Sequence, residues 1–440
     1  MPCSASLRDH VRPRNPPYLQ NEVIEERLQR LLSPVVYSQL GLYRQMGHRT
    51  RILTLPLMMA VVLTLFWRQV PSVAELTRVL EREELLWAKA TKVTQKALSK
   101  RFLELKAELF KRVFQDLLGP MRVRWQERQR RPLPPSVRQA QQSFAAIWIA
   151  DGSTLEALFR KLKSLEDAPV GQLGGKMMVV LDLVRRLPVE VWVESAPYAH
   201  DTTFTDRLLG LMAVPTLWIL DRGFWDFRFF EAIIEAQSAF ITRLKAGAAI
   251  EVLECLSQSP WHRDSRIRLG KGYQGKPILT LRLIEVRVGQ QWYRYLTSVL
   301  DPTVLPPGMV ADLYARRWRI EDTFHTVKRL LGLSYLWTGS LNGIALQVWA
   351  TWIVYIVLAD FADELADELA LPVERISLEM LYRGLYHFSV AYDKGLATDP
   401  IAYFADPRNQ DLNVVKFLRK KRPRLELTPF PKTLTSESFP

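Results

Sequence analysis

Cysteine is nearly missing from this 440-residue chain: Cys3 and Cys255 stand far apart, in no CxxC or Cys/His spacing. A disulfide framework and a tetrahedral structural zinc site are therefore not what organises it. No low-complexity tract is long enough to suggest a disordered or collagen-like chain, and the apolar fraction of 48% with 24% charged residues is that of a folded protein. The first residues, Met1-Pro2-Cys3-Ser4, carry neither a basic-then-apolar signal peptide nor an Arg-rich transit segment, so a reducing cytoplasm is the expected location. Uninterrupted apolar runs are short. Ile52 to Trp67 contains Pro56, and Asn342 to Ala359 contains Gly343, Gln347 and Thr351; at sixteen and eighteen uncharged residues they fall below the ~20 of a spanning helix. Both are expected to be buried core helices, and no membrane partner is expected.

Positive charge is what the chain has in excess. Sixty Lys and Arg against 46 Asp and Glu leave a formal charge of +14, so a polyanion, nucleic acid first, is the expected partner. The length exceeds the ~100–150 residues of a typical domain, which predicts two or three. Residues 1–118 read as an N-terminal helical domain and candidate DNA-binding domain. Apolar positions recur at three and four, Ser72 is placed to cap a helix, and Lys96, Lys100 and Arg101 form a basic face. Residues 119–140 are rich in Arg and Pro (Arg124, Arg128, Arg130, Arg131, Pro132, Pro134, Pro135) and read as a basic linker, either a solvated tether or a strap along phosphates.

From 141 to 245 the pattern changes to buried strands at Ala145 to Ala150, Met177 to Leu183, Val189 to Val193, Thr216 to Leu220 and Ala239 to Thr242. Helical stretches at Asp201 to Met212 and Phe227 to Ala236 alternate with them, which indicates an α/β sheet layer. Residues 246–303, with alternating Leu279, Leu281, Leu283, Val286 and Val288, predict an antiparallel, β-rich insertion. Helices return over 304–400. Residues 401–440, with Lys416, Arg419, Lys420, Lys421, Arg422 and Arg424, read as a basic mobile tail.

Two of the strands end alike, in Trp148-Ile149-Ala150-Asp151-Gly152 and Trp218-Ile219-Leu220-Asp221-Arg222-Gly223. Ligands of α/β sheets sit at the carboxyl ends of strands, and a following Gly lets a metal or phosphate approach the backbone. Two Asp presented this way suit an oxygen-ligand pair for Mg²⁺, although capping of the next helix is the commoner use of such an Asp. A third element adds weight. If residues 313–328 form one helix, Tyr314, Arg317, Glu321 and Lys328 fall within about 60° of arc, apart from the face formed by Leu313, Ile320, Phe324 and Val327. His325, four residues after Glu321, could be read as a second metal ligand of a different kind of site. Asp182 and Asp201 read as structural.

These residues resemble a DDE-type insertion-sequence transposase of the IS-four family, whose signature Tyr-x2-Arg-x3-Glu-x6-Lys is met by Tyr314, Arg317, Glu321 and Lys328. The family's first carboxylate context is matched by Asp151-Gly152-Ser153-Thr154, with Ser153 where Thr is common, and its second by Asp221. The resemblance implies a ribonuclease-H-like catalytic domain of α/β class, interrupted by the β-rich insertion, preceded by an all-α N-terminal domain and followed by C-terminal helices. It further implies Asp151, Asp221 and Glu321 as catalytic carboxylates and metal ligands for Mg²⁺ or Mn²⁺. Tyr314, Arg317 and Lys328 would contact DNA, and Trp292 and Tyr293 would stack a flipped base, unless they are plain strand aromatics. Double-stranded DNA and a homodimer on paired DNA ends are the implied partners. A ribonuclease-H-like nuclease without strand transfer and an inactive DNA-binding regulator share these features and stay open.

Overall fold

The computed structural model describes residues 20–48, 51–154, 176–194, 200–331 and 341–416. The expected tail beyond residue 416 lies outside them. The described chain forms two compact units, each discontinuous in sequence: one holds residues 20–132 and 323–416, the other residues 133–153 and 176–322.

The first unit is helical. Ser72 caps the Val73–Arg82 helix as expected, its hydroxyl accepting from the Glu75 N–H at 3.1 Å. Leu55–Trp67 is apolar all round and buried, as a helix without a polar face must be. Leu341–Glu368 is long and apolar enough to cross a membrane by composition, yet 94% of its most apolar window is buried inside the protein. Asn342, which interrupts that apolar run, ties down a helix junction: its Oδ1 accepts from Ala107 N–H at 3.0 Å and its Nδ2 donates to Leu105 carbonyl at 2.6 Å.

The segment read as a basic linker is not a tether. The Ala107–Glu127 helix runs through Gly119 and Pro120, and the arginines that follow its core face neutralise the acidic end of Leu341–Glu368. Arg124 Nε donates to both Asp360 oxygens at 3.1 Å. Arg128 pairs with Asp360 at 2.8 Å and Asp363 at 2.9 Å, and Arg131 also bonds Asp363. Asp360 and Asp363 are buried, so these arginines are internal counter-ions rather than a phosphate strap. Arg101, offered as part of a DNA-reading face, is likewise engaged, its Nε and Nη2 donating to the Leu53 carbonyl at 3.2 and 2.9 Å. The tail also begins later than expected: Pro400–Ala405 is a helix, and Lys416 N–H donates to the Arg375 carbonyl at 2.7 Å.

The second unit is built on one mixed nine-stranded sheet of order β3-β2-β1-β4-β5-β9-β8-β7-β6. Its strands are β1 (Ala146–Thr154), β2 (Lys176–Asp182), β3 (Pro188–Glu194), β4 (Thr216–Leu220), β5 (Ala239–Arg243), β6 (Ile250–Gln258), β7 (His262–Leu269), β8 (Leu279–Val288) and β9 (Gln291–Thr297). β1, β4 and β5 pair in parallel, and β4 is buried along its whole length, which is why it reads as an unbroken apolar run. The antiparallel insertion is not a separate layer. β9 pairs with β5 at Ile241↔Thr297, so the insertion continues the central sheet.

A fully buried ion pair fastens that extension. Arg282 on β8 donates from Nε and Nη2 to Asp264 on β7 at 2.7 and 2.6 Å, and from Nη1 to the Leu305 carbonyl at 2.7 Å. Replacing Arg282 by Met should destabilise this unit by about 3–5 kcal/mol, because Asp264 would stay buried without a counter-charge. Urea unfolding measures the loss, and a variant as stable as wild type would show that the pair adds nothing.

Candidate functional site

The register Ala150↔Leu220 is the last β1–β4 pair and brings the next residues side by side, Asp221 just past the end of β4 and Asp151 in the part of β1 that runs on beyond it. Asp221 occupies the N-cap position of the short Arg222–Phe224 turn but makes no side-chain capping bond. Its Oδ1 lies 3.4 Å from the Tyr314 hydroxyl, which donates to it. The ordinary capping use therefore does not account for this Asp.

Tyr314 and Glu321 arrive on two helices rather than one, with Arg317 in the join between them. Pro307–Ala315 ends before Arg316, and Trp318–His325 begins after Arg317. The join is tightened by i to i−3 bonds, Arg317 N–H to Tyr314 carbonyl at 3.0 Å and Ile320 N–H to Arg317 carbonyl at 3.1 Å. Such turns place residues three apart almost above one another, so Tyr314 and Arg317 share a face more closely than the uniform helix predicts. The single-helix assumption fails again for Lys328, because Thr326–Leu330 is wound as a π turn that changes the phase.

The three candidate carboxylates meet on one cation. Arg317 Nη1 donates to Asp151 Oδ2 at 2.6 Å and lies 3.7 Å from Glu321 Oε1, while its Nε lies 3.9 Å from Asp221 Oδ1. That Nε is buried and makes no hydrogen bond. Asp151 is the deepest, its side chain 12% exposed, whereas Asp221 at 39% and Glu321 at 44% form the rim. Burial pushes the Asp151 carboxyl up to about 7; Glu321, Asp201 and Asp221 push the same way, and Arg317 opposes them. Burial, then the neighbouring Asp221 charge, raises Tyr314 to about 12, so it remains a hydroxyl donor.

Asp201, read as structural, belongs to this end of the sheet: it pairs with Lys176 at 2.6 Å and acts on Asp151. No spacing in the sequence marks it. Asp182 is structural as expected, its Oδ1 accepting from the Val184 and Arg185 N–H groups at 2.9 Å. Trp292 and Tyr293 lie on β9, two positions or so from Tyr295, whose ring stands 5.2 Å from that of Tyr314. Trp292 is 43% exposed, so it is not a core aromatic, and Arg243 lies over the Tyr293 ring at 5.5 Å. Among the described residues no group of three His, Cys, Asp or Glu side chains is gathered to hold a metal ion by itself. At the centre of the carboxylates stands Arg317, and His325 is exposed and joins no such group.

Residues 144–357 match the family model described as transposase DDE domain. A candidate transposase of Sinorhizobium fredii is 27% identical over 183 residues, covering 38% of this chain and 48% of that protein. A transposase ascribed to insertion sequence element IS5377 of Geobacillus stearothermophilus is 23% identical over 210 residues, covering 46% of this chain and 54% of the other. The chain thus spans about half the length of the curated relatives it matches. Among solved structures, a piggyBac transposase synaptic complex with hairpin DNA superposes with a TM-score of 0.41 at 11% identity, over 92% of this chain and 87% of that one.

Proposed function

The chain belongs to the DDE-type transposases of insertion sequences, and from that premise we propose that it cuts the ends of a mobile element and joins them to target DNA, with Asp151, Asp221 and Glu321 as the catalytic carboxylates. The observation that carries this reading is their convergence on Arg317 from two strand ends and a helix. We read the second unit as ribonuclease-H-like in fold, with the β6–β9 insertion placed between the second Asp and the Glu.

The donor set fits hard divalent cations: three carboxylates already surround one positive group, and Asp151, raised chiefly by burial, would be favoured in its charged form by a cation beside it. Asp151, Asp221 and Glu321 would hold Mg²⁺, or Mn²⁺ in its place. When bound, such ions lower the pKa of an attacking water and neutralise charge on the leaving oxygen.

Cleavage by water and joining by the freed 3′-OH are the same in-line displacement at phosphorus, so no protein nucleophile is needed. Arg317 fixes the deep carboxylate through its Nη1 and would add positive charge beneath a bound phosphate. Tyr314 orients Asp221 by donating to it. In this reading Lys328 contacts phosphate, Trp292 and Tyr293 offer aromatic faces to an unstacked base, the N-terminal helices read the element's ends, and two copies act on paired ends.

The test is cleavage and joining of labelled DNA carrying candidate element ends, in Mg²⁺, by wild type and by Glu321→Gln. Wild type is expected to nick and join, and the variant to bind DNA and do neither. Nicking without joined product would make the protein a nuclease, binding without nicking a regulator. A variant that cuts as well as wild type would remove Glu321 from the site.

A further inference from the structure

We propose that Asp201, held by Lys176, is a positioning residue for the reaction: its carboxylate is wedged against the backbone following each strand-end aspartate and sets how Asp151 and Asp221 present their oxygens. The inference rests on the function proposed above, but its observations are separate ones. Gly152 follows Asp151 directly and Gly223 follows Asp221 by two residues. The sequence suggests that these glycines admit a metal or phosphate; the structure shows what stands there. A Cβ at Gly223 would overlap Asp201 Oδ2 and lie 3.2 Å from its Cγ. A Cβ at Gly152 would lie 2.5 Å from Asp201 Oδ1 and overlap the Lys176 side chain. One carboxylate thus fills the space beside both glycines, an oxygen to each.

The elements around it explain why it stays. Asp201 opens a short 3-10 turn, Asp201–Phe204, whose Phe204 is buried against Trp192. Lys176 begins β2, the strand beside β1, and its ammonium lies 2.6 Å from Asp201 Oδ1. The side chains of both are mostly buried, at 17% and 15% exposed. A side chain at either glycine requires Asp201 or Lys176 to shift, and the ion pair with Lys176 opposes a shift of Asp201. Groups that orient metal-binding side chains without touching the ion commonly govern affinity and activity by about 10–100-fold.

Asp201→Ala should therefore bind Mn²⁺ about 10–100-fold more weakly than wild type, read from the free Mn²⁺ signal in electron paramagnetic resonance, and should cut with a lower kcat at unchanged DNA affinity. Asp201→Asn keeps the shape and should retain more Mn²⁺ binding than Asp201→Ala. Gly223→Ala alone should be as damaging as Asp201→Ala, and the double variant Gly223→Ala with Asp201→Gly should be no worse than Asp201→Ala alone, since both changes disable the same carboxylate. Circular dichroism establishes that each variant is folded; if Asp201→Ala is not, the Gly223→Ala pair decides. Wild-type Mn²⁺ affinity in Asp201→Ala, or a harmless Gly223→Ala, would overturn the wedge. If wild type and Glu321→Gln bind Mn²⁺ equally, the functional reading itself fails and takes the wedge with it; if only Asp201→Ala matches wild type, the wedge alone fails.

Discussion

Asp151→Asn is expected to abolish DNA cleavage, by roughly a thousandfold or more, and to raise the melting temperature of the same protein at pH 8. Losing one preorganised electrostatic donor from an active site typically costs ~10²–10³ in rate, and a carboxylate at the centre of the site should cost no less. The stability gain follows from burial. Asp151 sits at about 7 in the folded chain, chiefly because burial penalises its charge, against ~3.9 in an unfolded one. An acid raised in this way contributes stability that is present below about pH 4 and is lost as pH rises to 7, because the unfolded chain gives up the proton first. Three pH units correspond to about 4 kcal/mol at most. Asn keeps an oxygen for the Arg317 bond but forfeits its charge, so a net gain of roughly 1–3 kcal/mol at pH 8, a few degrees in Tm, is expected. At pH 4 the two proteins should melt together. Thermal scans in EDTA at both pH values check this, and a variant less stable than wild type at pH 8 would mean that the Arg317 contact outweighs desolvation.

The strands were legible where both faces are buried. Thr216 to Leu220 is a strand over those same residues, because in the middle of a sheet both faces are buried and call for mostly apolar side chains, so periodicity is not needed to see it. β6, exposed at the sheet's edge, carries Glu251, Glu254, Ser257 and Gln258 and gave no such run. What stayed hidden were pairings between distant segments. Arg124, Arg128 and Arg131 look like linker cations until the Leu341–Glu368 helix, more than 200 residues on, supplies Asp360 and Asp363. Asp201 was hidden for the same reason: its partners Lys176, Gly152 and Gly223 come from three different elements. The Tyr314, Arg317 and Glu321 grouping was visible from spacing alone, although the path that delivers it bends at Arg316 and Arg317 in a way no uniform helix anticipates.

Arg317→Met should cost about 3–5 kcal/mol at pH 8 without metal, the usual penalty for removing one partner of a buried ion pair, and far less at pH 5. The asymmetry comes from Asp151. Below about 7 it carries its proton even with Arg317 beside it, so at pH 5 the missing cation leaves little buried charge uncompensated, whereas at pH 8 it leaves an ionised carboxylate facing Asp221 and Glu321. Arg317→Lys should recover only part of the loss, since a point charge cannot reach Asp151 at 2.6 Å and the other two carboxylates together as the planar fork does. Divalent ions give the second half of the test. Without the guanidinium the three carboxylates face Mn²⁺ with no competing positive charge, so Mn²⁺ should raise the Tm of Arg317→Met by more than it raises that of wild type, the difference growing with concentration as binding to the folded state requires. An equal Mn²⁺ response in the two proteins, with the same penalty at pH 5 and pH 8, would show that Arg317 does not compete with a cation for Asp151, Asp221 and Glu321. A larger response in the variant would mean that the free protein guards its carboxylates with an internal cation, held at 2.6 Å from Asp151.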